Sequence, residues 1–196
     1  MCYTLIMITD NDCQKYSDEA LVELVLANSD YYVCLVNRYT EALRRYVVRL
    51  GSNMTDSDDI LQDVFLNAYL HLNDFDKQLK FSSWIYRIAH NQTISAFRKV
   101  NVRPTVELTD LEPWQEMVRD SCPGRQIDQE ILQQKISVVL EKIDPKYREV
   151  LVLKFFEEKD YSEMSDILKK PMGTIATLVN RAKKQFAKIV EAELIN

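Results

Sequence analysis

Thr177, Asn180, Arg181 and Lys184 recur at the three- and four-residue intervals that a helix turns into one face, with Thr174 and Lys183 at its edges. Hydroxyl, amide, guanidinium and ammonium groups are what hydrogen-bond base edges and hold phosphates. No acidic residue interrupts the face. Opposite it, Ile175, Leu178, Val179, Ala182, Phe186, Ile189 and Val190 form an apolar face that must be buried. A shorter helix precedes it, with Met164, Ile167 and Leu168 on one side. Asp160 and Glu163 can cap that helix, and Pro171 with Gly173 breaks the chain and restarts it. Two helices joined by so tight a turn make the geometry that carries a helix into the major groove. Taken alone, residues 161–186 also fit an ordinary helical hairpin whose basic face is merely solvated.

Two further clusters could do chemistry. Asp59, Gln62 and Asp63 project from a helix over residues 55–72, away from the stripe Ile60, Leu61, Val64, Phe65 and Ala68. An acidic first turn ordinarily just complements the helix dipole. Residues 81–99 form another helix, with Trp84, Ile85, Ile88, Ala89 and Ala96 inward and Ser83, Arg87, His90, Ile94 and Arg98 outward. Tyr86 lies beside that face, and the polar loop 73–80 ahead of it carries Phe75 between basic ends. Such a surface suits the backbone and unstacked bases of single-stranded DNA. Trp84 fits the core better than a stacking platform. His90 is a poor metal ligand, because the other histidine, His71, precedes the loop.

The elements that must position these groups are helical. The chain of 196 residues has only 3 glycines and 5 prolines, and its apolar residues are spaced three and four apart almost throughout. The expected fold is all-α, two small helical domains joined by an acidic linker. Ser17 caps a helix bearing Leu21, Leu24, Val25 and Ala27, after a frayed N-terminus over residues 1–16. A second helix over residues 31–50 ends at Gly51, with Arg38, Arg44, Arg45 and Arg49 outside. Residues 17–100 then make one domain, residues 101–126 the linker, which holds three of the prolines, and residues 127–196 the other domain. Asp144 and Pro145 make an N-cap and first helical residue.

Net charge is −5, unusual for a chain that would hold DNA unaided. Two tracts, Lys77 to Arg103 and Lys169 to Lys188, each carry six basic residues and no acid, and an acidic bridge from Glu107 to Glu130 separates them. Cys2, Cys13, Cys34 and Cys122 show neither metal-ligand nor disulfide-framework spacing, so reduced thiols in a cytoplasm are expected. The apolar run 2–8 is too short to span a membrane and lacks the features of a signal peptide.

Three stretches, DSDDILQDVFLNAY (56–69), FSSWIYRIAHNQTISAFRK (81–99) and residues 143–186, together resemble the extracytoplasmic-function sigma factors of bacterial RNA polymerase. The resemblance spans nearly the whole chain after about residue 17. It implies a first domain that holds core polymerase and the minus-ten element, and a second that reads the minus-thirty-five element. By resemblance, Asp59, Gln62 and Asp63 dock on the polymerase clamp helices. Asn73, Phe75, Lys80, Ser83, Tyr86, Arg87, His90, Asn91 and Arg98 face minus-ten DNA, and Thr174, Thr177, Asn180, Arg181, Lys183 and Lys184 face minus-thirty-five DNA. Core polymerase, duplex and melted promoter DNA and an anti-sigma factor are the implied partners. The chain departs from the family at Ala176, Thr177 and Leu178, where basic contacts are common, and at Lys169, where glycine is frequent in the turn.

Two other readings account for part of the pattern. A stand-alone helix-turn-helix regulator would bind duplex DNA as a dimer, leaving Asp59, Gln62 and Asp63 unexplained. A protein-binding module that has lost DNA recognition would explain Ala176 and Leu178. No metal-ligand spacing, phosphate-binding glycine loop or nucleophile with its base is found, so neither enzyme activity nor a cofactor is expected.

Overall fold

The computed structural model describes residues 13–51, 54–100, 139 and 142–195. Among these, helices α1 (Asp18–Ala27), α2 (Tyr32–Leu50), α3 (Met54–Leu70) and α4 (Phe81–Val100) precede α5 (Pro145–Phe155), α6 (Tyr161–Leu168) and α7 (Met172–Ile195). No strand occurs among the described residues. The linker expected over residues 101–126 lies outside them, as do residues 1–12.

Local chemistry sets the helix ends. Ser17 Oγ accepts from Ala20 N at the start of α1. Gly51, at φ 120°, closes α2 in a conformation that glycine adopts without a Cβ penalty. Asp144 Oδ1 accepts from Lys146 N ahead of Pro145. At α6 both arms of a capping box form, Glu163 N to Asp160 Oδ1 at 2.8 Å and Asp160 N to Glu163 Oε2 at 3.0 Å. The turn after α6 passes through Lys169 in the left-handed region, φ 53°. Ser165 Oγ donates to Lys170 O across it, and Pro171 leads into α7.

α3 packs on α2 and α4, and α7 on α5 and α6. The two units do not stand apart: α4 lies along α6 and α2 against α5, so a single apolar core runs from Leu21 through Tyr46, Phe81 and Ile85 to Leu151, Ile167 and Phe186.

The structure corrects three expectations. Arg49, placed outside α2 by periodicity, is 6% exposed, because α5 and the turn after it cover the end of α2. Cys13 and Cys34, expected to be free thiols, form a disulfide with Cα atoms 5.1 Å apart. Residues 13–16, expected to fray, are held where Arg38 donates to the carbonyls of Cys13 and Tyr16 at 2.7 and 3.0 Å.

Candidate functional site

On α3, Ile60, Leu61, Val64 and Ala68 are buried, and that burial turns Asp59, Gln62 and Asp63 to solvent. Asp58, next to them, is tied to Arg44 of α2 at 3.0 Å. Asp59 and Asp63 have no ion-pair partner among the described residues, so their charge is available to another molecule. The same exposed line continues into Leu66 and Leu70, 59% and 65% exposed, with Tyr69 beside them. Leu26, Tyr69, Leu70 and Asn73 edge a shallow groove where α1 and α3 end. Reading α3 for charge misses this apolar extension. Its signal is in the sequence, since Leu66 and Leu70 are apolar yet fall off the buried stripe.

The face of α4 read as outward is largely covered. Ser83, Tyr86 and His90 are 1%, 4% and 8% exposed: α6 lies along α4, the turn after α5 meets Tyr86, and Glu149 of α5 lies 3.9 Å from His90. Arg87 is half-buried, while Asn91 and Arg98 at the far end are exposed. In the preceding loop Asn73 and Lys80 are exposed, but Phe75 is buried edge-on against Phe81 and Trp84, ring centres 5.6 and 5.5 Å away. Phe75 is thereby part of the core that holds the start of α4.

Polar groups with no local sequence signal bind that covering contact together. Glu157, at the turn after α5, receives Arg49 Nη1 on Oε1 at 2.8 Å and the Tyr86 hydroxyl on Oε2 at 2.6 Å. Both charged side chains are nearly fully buried, so each depends on the other for its solvation. The Arg49 guanidinium also lies over the Phe156 ring, and the Lys159 ammonium over Tyr86. Arg148 Nη1 donates to Leu50 O across the same seam. Lys80 Nζ reaches Glu163 at 3.3 Å from the loop side. Within the seam, His90 Nδ1 is 3.1 Å from the Tyr46 hydroxyl and Nε2 is 3.9 Å from Glu149. Burial, helped by the charge of Lys170, pushes the His90 pKa down to about 4, and burial raises that of Glu149. Charge is disfavoured on both.

On α7 the apolar face is buried as its spacing requires, at Ile175, Val179, Ala182, Phe186 and Val190. Thr174, Thr177, Asn180, Arg181, Lys183 and Lys184 are all exposed. Thr177 Oγ1 donates to Gly173 O at 2.9 Å, which leaves its lone pairs outward. Lys183 leans back over Phe155 of α5, ammonium to ring centre 4.9 Å, while Asn180, Arg181 and Lys184 stay on the open face. Ala176 and Leu178 are half-buried, and Leu178 packs against the core, so that departure thickens the packing face.

Residues 35–102 match sigma-70 region 2 and residues 133–186 match sigma-70 region 4, in the order of the two helical units. The chain is 31% identical over 170 residues to the ECF RNA polymerase sigma factor SigW of Bacillus subtilis, covering 82% of this chain and 89% of that one. The fold resembles that of CnrH, solved with the cytosolic domain of CnrY, at a TM-score of 0.66 and 24% identity over 89% of this chain and 97% of that one. It also resembles RpoE of Bartonella quintana, solved with the anti-sigma factor NepR, at a TM-score of 0.57 and 20% identity over 80% and 94%. With both regions in order and that identity across most of its length, the chain belongs to the extracytoplasmic-function sigma factors of bacterial RNA polymerase.

Proposed function

We propose that this sigma factor docks on core polymerase through the exposed line of α3, reads minus-ten DNA with the loop 73–80 and α4, and reads minus-thirty-five DNA with α7. The observation that carries the docking assignment is the row Asp59, Gln62, Asp63, Leu66 and Leu70, all exposed on one side of a helix whose other side is core. Carboxylates followed by apolar side chains suit a basic helical partner with an apolar edge, where charge steers and burial holds.

The minus-ten face is covered in the free chain by α6 and Glu157, so promoter reading requires the two units to part. Core polymerase supplies the reason to part, by binding each unit at its own place and setting their spacing on DNA. An anti-sigma factor is the expected antagonist, competing for the same faces. The factor assists initiation and leaves the chemistry to the polymerase.

Run-off transcription from a pool of genomic promoters, with core polymerase and either the wild-type chain or Asp63→Arg, tests this reading. Discrete start sites with the wild type, lost with the reversed charge, are expected. Binding of duplex DNA without polymerase, and no start sites, would instead support a stand-alone regulator.

A further inference from the structure

We propose that Cys13 and Cys34 form a reversible thiol–disulfide site, at which oxidation by a small-molecule disulfide staples the segment ahead of α1 onto α2. The two cysteines come from different segments, 21 residues apart, and their Cα atoms are 5.1 Å apart, inside the span a disulfide bridges without moving backbone.

The approach of these segments does not rest on the bond alone. Arg38 donates to the carbonyls of Cys13 and Tyr16 and pairs with Asp18 at 2.5 Å, and the Tyr39 hydroxyl donates to the other oxygen of Asp18. After reduction the same clamp keeps the sulfurs near one another, so the site is set to close again. Access is asymmetric. Both cysteines are buried, Cys34 at 1% exposure in the first turn of α2 and Cys13 less deeply at 7%, next to exposed Gln14, Lys15 and Tyr16. The Arg38 guanidinium is bonded to the Cys13 carbonyl, and Cys34 lies in the first turn of α2, whose free N–H groups favour a thiolate there.

In the forward direction the Cys13 thiolate attacks one sulfur of the small disulfide, forming a mixed disulfide and expelling one thiolate. The Cys34 thiolate then attacks the Cys13 sulfur, closes the bridge and expels the second. The two protein thiols lose two electrons, the small disulfide gains them, and the two protons end on the released thiols. Excess thiol reverses both steps.

The full-length chain, carrying Cys2→Ser so that Cys13 is the sole cysteine in its tryptic peptide, is equilibrated in graded mixtures of oxidised and reduced glutathione. It is then acid-quenched, alkylated and mapped by mass spectrometry. The expected result is loss of alkylation at Cys13 and Cys34 together, at one ratio, with a linked peptide joining residues 1–15 to residues 16–38. Thermal unfolding of the oxidised form should rise by about 5–10 °C, a gain that Cys13→Ser, altered at the less deeply buried cysteine, lacks. Independent alkylation of the two cysteines, a link from Cys34 to Cys122, stable glutathione adducts without a bridge, or a bridge that leaves unfolding unchanged would each overturn the proposal.

Discussion

Glu157 joins the two units through one carboxylate, taking Arg49 on one oxygen and Tyr86 on the other. Glu157→Gln removes the carboxylate charge that faces the buried guanidinium, and breaking such a pair costs about 3–5 kcal/mol. Because the pair lies between units, we expect that cost to appear as separation of the units, with a larger radius of gyration by X-ray scattering and unchanged helical circular dichroism. His90 gives the same seam a pH dependence. Its pKa falls from 6.5 unfolded to about 4 folded, so its contribution is complete above pH 6.5 and is lost as pH falls toward 4. Glu149, raised by burial, works in the opposite direction as pH falls, while Tyr46 and Lys170 complete the surroundings of His90. The difference in unfolding free energy between wild type and His90→Gln should therefore shrink by about 2 kcal/mol between pH 7 and pH 5 in urea titrations. A pH-independent difference would mean that His90 is as charged folded as unfolded.

At the scale of elements, α3 and α7 each present one exposed polar face because the other is core. Leu70→Asp should weaken association with core polymerase about tenfold while leaving the thermal midpoint of the free chain unchanged, since Leu70 buries little within the chain. Asn180→Ala should lower run-off transcription about tenfold at promoters that need the upstream element, the loss of one good base contact. Lys169 holds the turn before α7 at φ 53°, where a side chain is strained, so Lys169→Gly should raise unfolding stability by up to about 1 kcal/mol. These elements were legible because their causes are local. The Asp160–Glu163 box, the Asp144–Pro145 start and the stripes of α3 and α7 each follow from residues within a few turns. Arg49 was misplaced because its partner Glu157 is 108 residues away, and nothing around an arginine at the end of α2 signals a distant carboxylate. Cys13 and Cys34 were missed for the same reason, since their approach depends on how the N-terminal segment lies across α2. The covering of Ser83, Tyr86 and His90 belongs to this class too. Their spacing marks a polar helix face, but what packs on that face is decided by the other half of the chain.

The whole molecule carries two acid-free basic islands on a chain of net charge −5, and in the free protein it folds one island's helix under the other unit. On the proposed reading, both features keep free affinity for DNA low and reserve promoter reading for the complex with polymerase. The two histidines of the chain report directly on that claim. The His71 side chain is 57% exposed and that of His90 10% exposed, so diethylpyrocarbonate should label His71 and spare His90 in the free chain. Peptide-resolved labelling, repeated after adding core polymerase without DNA, is the measurement that tests the account most directly. The prediction is that His90 becomes reactive once polymerase parts the units. Labelling of His90 as readily as His71 in the free chain, or continued protection of His90 in a polymerase complex that starts transcription when promoter is added, would contradict it.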